Sequence, residues 1–275
     1  MSQEIVLSNE IIKIIKNIVL EIKSNNNINS IVKDAVFQIL EKKCTVIYYP
    51  LSDEKNRGFH IKRLVNDKLE DFVYINTDKT IEQQVFTAAH ELGHIYKVYD
   101  RVVDLASGVG IDLDINDQDY EEKVTDRFAA EFIMPENEFI DFVTDYATNN
   151  NFKERVLVFD MLKLIAKLMD DFMSPFNAVR KRLYEIEAID AASDQYLRDN
   201  KIELEKYVDS LKNDENSLIN GNTGVKTISG LRSFIDKASS SVDTDKVLIK
   251  KIKKEFGLED IVLTDQIVFS GARIE

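Results

Sequence analysis

Residues 88 to 96 read Ala-Ala-His-Glu-Leu-Gly-His-Ile-Tyr and hold two of the three histidines in the chain. On a helix, His90 and His94 stand at i and i+4, about 5–6 Å apart at Cβ, so both imidazoles can reach one cation. Glu91, about 100° around the helix, flanks such a cation without ligating it. The pattern suits hydrolysis: zinc with three protein ligands keeps a position open for water, and a neighbouring carboxylate can take that water's proton. The competing reading is an amphipathic core helix with two incidental histidines, and the scarcity of histidine argues against it. Gly93 costs helix propensity, and its use is close packing against a neighbour.

A third ligand has to come from elsewhere. The extended motif H-E-x-x-H-x-x-G-x-x-H is disfavoured, because its glycine and last histidine correspond here to Lys97 and Asp100. Asp100 stays open as a ligand, although the helix lacks the glycine at which it would break. Glu122 is the better candidate. In Tyr120-Glu-Glu-Lys-Val-Thr-Asp-Arg-Phe-Ala-Ala-Glu-Phe-Ile-Met-Pro135, helical spacing puts Glu122, Asp126, Ala129 and Ile133 on one face. Asp126 would then accept the free ring N–H of a metal-bound histidine. Glu121, on the face of Phe128 and Phe132, is the alternative ligand.

The elements that position these residues are read from periodicity and turn residues. Ile11, Ile15, Ile18 and Ile22 have helical spacing, and Ser24-Asn-Asn-Asn-Ile-Asn-Ser30 ends that helix, which reads as a separable arm over 1–29. Ser30 is placed to cap a second helix to about Lys43. A small sheet follows, with strands at Cys44 to Tyr49, Gly58 to Leu64 and Asp71 to Asn76. The helix with the histidine pair is expected from Lys79 to about Val98. An acidic, irregular connection, Asp100 to Asp119, leads to a helix over about Asp119 to Met134. Further helices are expected over Pro135 to Tyr146, Phe152 to Phe172 and Pro175 to Ile189. After about residue 190 come a charged helix, Ser193 to Lys212, a polar stretch to Gly224, two short helical patterns and a possible strand, Asp260 to Phe269. The fold class is α+β: a small sheet packed with helices that carry a zincin-like site, and a mostly helical C-terminal extension. Its expected parts are 1–29, 30–189 and 190–275.

These motifs, in this order, resemble the ImmA/IrrE metallopeptidases. The resemblance rests on Phe72-Val-Tyr-Ile-Asn76, Gln84-Val-Phe-Thr-Ala-Ala-His-Glu-Leu-Gly-His94, and Glu122 followed by Asp126, Phe128-Ala-Ala and Phe-Ile-Met-Pro135. It continues in Leu164-Ile-Ala-Lys-Leu, Ser174-Pro and Ala178-Val with Arg-Leu183, so it spans about residues 30 to 189. It implies a zinc endopeptidase of gluzincin-like arrangement, with one zinc ion per chain, His90, His94 and Glu122 as ligands and Glu91 as base. The implied substrate is a helix-turn-helix repressor encoded nearby, whose cleavage releases genes of a mobile element or a stress response. Thr125 departs from the alanine common in the family, and residues 190 to 275 have no counterpart in it.

Composition narrows the other classes. The net charge of −13 repels phosphate backbones, so nucleic acid is a poor partner and a basic protein an acceptable one. A single cysteine, Cys44, excludes an intrachain disulfide framework and fits a reducing compartment. No stretch approaches the ~20 apolar residues of a membrane span and the N-terminus lacks the pattern of a signal peptide, which predicts the cytoplasm. Two other functions are kept. Residues 164–184 resemble a helix-turn-helix ending in Arg180-Lys-Arg182, a DNA-binding reading; an antirepressor or toxin-like protein that binds with little proteolysis is the other. Asp112-Leu-Asp-Ile-Asn116 is no EF-hand, because Asp117 replaces the required glycine. His60 reads as a packed or surface histidine. Tyr96 and Tyr99 could stabilise an oxyanion, although a core or rim position is the simpler assignment.

Overall fold

The computed structural model of the protein describes residues 6–53, 55–65, 67–212, 222–233, 235 and 246–258. The chain begins with α1 (Asn9–Asn25), whose first turn is capped by the Ser8 hydroxyl accepting from the Ile11 N–H. Its apolar stripe of Ile11, Ile15, Ile18, Val19 and Ile22 is buried. The stripe lies in the same core cluster as Leu92 and Phe128, so α1 is not the separable arm that its asparagine-rich stop implied. A helix with so continuous an apolar face is stable only when that face is covered, and here it packs on later helices.

After α2 (Ala35–Glu41) come β1 (Thr45–Tyr49), β2 (Gly58–Val65) and β3 (Lys68–Asn76). The order in the sheet is β2-β3-β1-β4, where β4 is Thr227–Ile228. β2 and β3 form an antiparallel hairpin with His60 opposite Val73. β1 runs parallel to β3, with Val46 opposite Val73. The polar stretch near Gly224 therefore leads into a strand: Ile228 pairs with Ile47, the Ser229 N–H donates to the Val46 carbonyl, and the Val46 N–H donates to the Ser229 hydroxyl.

The helix carrying the histidine pair is α3 (Ile81–Ile95), capped by the Thr80 side chain accepting from the Gln83 N–H. It stops at Lys97, whose φ of 49° is left-handed. The expected irregular connection instead begins with a helix, α4 (Val98–Ser107). Val98, Val102 and Ala106, four residues apart, are all 0% exposed, and burying this stripe outweighs the acidic residues between. Next is α5 (Gln118–Ile133), capped by Asp117 accepting from the Tyr120 N–H. It lies so close to α3 that a Cβ on Gly93 would sit 2.8 Å from Thr125 Cγ2 and 3.0 Å from Phe128 Cδ1.

α6 (Glu136–Asn149), α7 (Val158–Phe172) and α8 (Phe176–Glu185) follow, then α9 (Ala191–Asp199) and α10 (Lys201–Lys212), which Asn200 separates where one charged helix was expected. Leu197 and Val208 belong to the main core, so no edge of that core falls at residue 190. Arg180 pairs with Asp194 of α9, and fully buried Arg182 donates to Glu131 Oε2 at 2.6 Å and to the Met134 carbonyl. Two of the three cations in Arg180-Lys-Arg182 are thus spent inside the fold, and only Lys181 of the three is exposed. A small second cluster of Leu231, Ile235 and Ile249 packs near α11 (Lys246–Glu255). The possible strand Asp260 to Phe269 lies outside the described residues. Among the described residues, no helix is long and apolar enough to cross a membrane.

Candidate metal centre

α3 and α5 face each other across Gly93, and this contact brings three donors together. His90 Nε2 and His94 Nε2 are 3.2 Å apart, and Glu122 reaches them at 3.2 and 3.5 Å through its two oxygens. Donors bonded tetrahedrally to one zinc ion at about 2.0–2.2 Å stand about 3.3 Å from one another. The residues present therefore fit the ion, and this triad is the cluster of metal-ligating type found among the described residues.

Each histidine is held from behind. His90 Nδ1 lies 3.0 Å from Asp126 Oδ1, the relation expected from the i, i+4 spacing of Glu122 and Asp126. His94 Nδ1 lies 3.2 Å from Glu121 Oε1, so Glu121, the alternative ligand, stands behind a ring instead of joining the three donors. Nothing in sequence separates the two roles, because they depend on how α5 rotates against α3. Asp100 lies outside the triad and lines an adjacent cleft of about 260 Å³, whose walls also hold His60, Lys62, His94, Lys97 and Glu121.

The electrostatics follow from this packing. Burial disfavours a charged His90, but hydrogen bonds to Asp126 and Glu122 outweigh it and push its pKa up to about 10. His94 moves down, through burial and then the charge of His90. The hydrogen bond with His90 takes Glu122 below the usual carboxylate range. Glu91 is only 5% exposed, and burial raises its carboxyl to about 7; the His90 charge opposes the shift and Glu122 adds to it.

The hydroxyls of Tyr96 and Tyr99 are engaged away from the three donors, although Tyr99 lines the adjacent cleft. The Tyr96 hydroxyl accepts from Asn26 Nδ2 at 3.0 Å, and the Tyr99 hydroxyl donates to the Asp114 carbonyl at 2.5 Å. His60, expected to be packed or on the surface, is largely covered and lies beside His94 with its ring centroid 6.4 Å away. The sequence carries no local signal for this, since a strand must first cross a helix to create it.

Two histidines one turn apart, a facing carboxylate from a second helix and a dry glutamate beside them define an α+β protein with a candidate HExxH-type metal centre. Residues 40–184 match the family described as IrrE N-terminal-like domain, Peptidase M78, and the chain belongs to that peptidase family. The match leaves out α1 and everything from α9 onward. A solved Mycobacterium tuberculosis transcriptional regulator is similar at 12% identity with a TM-score of 0.41, over 64% of this chain and 47% of that one. The chain thus spans about half the length of that regulator. No curated protein matches the chain.

Proposed function

We propose that the protein is a zinc-dependent endopeptidase of the cytoplasm that cuts a helix-turn-helix transcriptional repressor encoded near its own gene. The observation that carries this reading is the convergence of His90, His94 and Glu122 within ligand distance, with buried Glu91 next in sequence to His90. His90, His94 and Glu122 hold one zinc ion per chain, which when bound supplies Lewis acidity and an acidified water.

The remaining roles belong to the chain's own side chains. Asp126 and Glu121 accept the Nδ1–H of His90 and His94, which fixes both tautomers with the Nε2 lone pairs turned inward. Glu91 takes the proton of the attacking water and later returns it to the leaving amine. Burial makes Glu91 a stronger base than an exposed carboxylate, which suits it to take a proton and return it. The family resemblance supports a repressor as substrate. The net charge of −13 supports a basic, DNA-binding one, which it draws in over a distance.

The test is the intact mass of a repressor encoded beside the gene, after incubation with zinc-loaded wild type or Glu91→Gln. Two fragments from a single cut with wild type, and none with the variant, support the reading. A repressor that stays whole in both yet co-purifies with the protein replaces it with binding without proteolysis.

A further inference from the structure

Charge is spread unevenly along this acidic chain. Helix α11 reads Lys-Val-Leu-Ile-Lys-Lys-Ile-Lys-Lys-Glu, with five lysines and no acidic residue in its first nine positions, in a protein whose net charge is −13. Net charge describes the field at a distance, whereas a surface in contact meets the local one. The helix lies beyond the family match, which ends at residue 184, and the peptidase chemistry leaves it without a role.

Its apolar side fixes it in place. Ile249 is buried with Leu231 and Ile235, and Ile252 and Phe256 pack on this small core together with Ile228 of β4. Phe256 also meets the ring of Tyr49, the last residue of β1, with centroids 6.2 Å apart. Glu255, the one acid of the helix, accepts from the Tyr49 hydroxyl at 2.7 Å and from Lys226 Nζ at 2.9 Å. The lysines are therefore carried on a helix that is tied to the sheet. At 100° per residue, Lys250, Lys251 and Lys254 fall within about 100° of one another, opposite Ile249, Ile252 and Phe256. All three are exposed and form no ion pair among the described residues.

A polyanion is the ligand class that this face fits, because like charges on one helix face repel and an opposing row of anions relieves the repulsion. An anionic bilayer fits less well. A helix lying in a membrane surface buries its apolar side in lipid, and here that side is already spent on the protein's own core, which leaves only Val247 and Leu248 of the first turn exposed. Duplex DNA asks for the charges alone and offers a phosphate about every 1.7 Å of its axis. The acidic remainder of the chain is repelled by the same phosphates, so contact is confined to the helix.

We propose that the outer face of α11 binds the phosphate backbone of duplex DNA through Lys250, Lys251 and Lys254, and so seats the protein beside regulators that are themselves on DNA. Phosphate contacts of this kind carry no sequence preference. The choice of DNA among polyanions rests on the peptidase reading, in which the substrate is a DNA-bound repressor.

The test is fluorescence anisotropy of a short labelled duplex of arbitrary sequence with the full-length protein. Wild type is compared with the triple variant Lys250→Gln, Lys251→Gln, Lys254→Gln, and with Lys13→Gln, Lys42→Gln, Lys68→Gln, which removes the same charge from exposed positions elsewhere. Unfolding midpoints show that each variant is folded. With three phosphate contacts, wild-type affinity should fall about 40-fold between about 50 and 200 mM salt, and the α11 variant should lose most of that dependence, its log–log slope flatter by about 3. The second variant should bind as wild type does. Cleavage of repressor free in solution should be unchanged in the α11 variant, and cleavage of repressor on its operator should be slower.

No binding by wild type at the lowest salt overturns the proposal, as does an α11 variant that binds like wild type or an equal loss in both variants. Tighter binding to polyglutamate than to duplex would assign the face to an acidic protein, and tighter binding to anionic vesicles would assign it to a membrane; either ends the DNA proposal. Cleavage without duplex binding ends this inference alone. Duplex binding without cleavage leaves the helix its ligand and ends the peptidase reading instead.

Discussion

The buried carboxylate of Glu91 has a thermodynamic consequence that can be measured with no substrate at all. Its pKa is raised from 4.5 to about 7, mainly by burial and despite the pull of the His90 charge. At about 1.4 kcal/mol for each unit, ionising it inside the fold costs about 3 kcal/mol more than ionising it in the unfolded chain. The sign follows from the direction of the shift: a carboxyl raised on folding binds its proton more tightly in the native state. No penalty exists below pH 4.5, and it grows as pH rises to about 7, where it levels off. Glu91→Gln has almost the same shape and no charge. In protein stripped of metal with a chelator, urea unfolding at pH 8 should find the variant more stable than wild type by about 3 kcal/mol, a large part of a typical folding free energy. At pH 4.5 or below the two should converge. A gap that is the same at both pH values, or a variant that is the less stable at pH 8, would refute the assignment of Glu91 as a dry, strained base.

Other outcomes follow from the same geometry. Glu121→Gln and Asp126→Asn should each weaken zinc binding by about 10–100-fold in a chelator competition, and Glu122→Gln should weaken it more, because it removes a donor in place of a support. Gly93→Ala pushes a methyl group into Thr125 and Phe128, so it should lower stability by about 1–3 kcal/mol in thermal or urea unfolding and reduce zinc affinity by parting α3 from α5. The Cys44 thiol, pushed up to about 12 by burial and then by Asp71, Glu91 and Glu41, should react slowly with a disulfide reagent at pH 8 and rapidly once the chain is unfolded in urea.

What could be read in advance depended on whether the relevant physics was local. The i, i+4 pair of His90 and His94 and that of Glu122 and Asp126 are properties of single helices, and both pairs fall where helical spacing put them. The first three strands were legible from β-branched and aromatic runs between turn residues. The two acidic neighbours, Glu121 and Glu122, were not separable, because α5 has to be docked before one of them faces Nε2 and the other Nδ1. Helix α4 was hidden by Asp100, Arg101 and Asp104, which interrupt its apolar stripe of Val98, Val102 and Ala106. His60 comes beside His94 only through the crossing of β2 and α3, and the sequence holds no sign of that beyond Gly58. The depth of α1 in the core was masked by the asparagine run that ends it.

The short strand β4 has a consequence for the order in which the protein can be made. The Val46 N–H closes on the Ser229 hydroxyl across 183 residues, and the Thr77 hydroxyl donates to the Val225 carbonyl across 148. During synthesis, the edge of Thr45–Tyr49 waits with its backbone groups unpaired until residue 229 has left the ribosome. Closing so distant a contact is slow for entropic reasons. A nascent chain therefore displays the Thr-Val-Ile-Tyr-Tyr edge to other chains for most of its synthesis, which makes it a natural client for chaperones that shield strand edges.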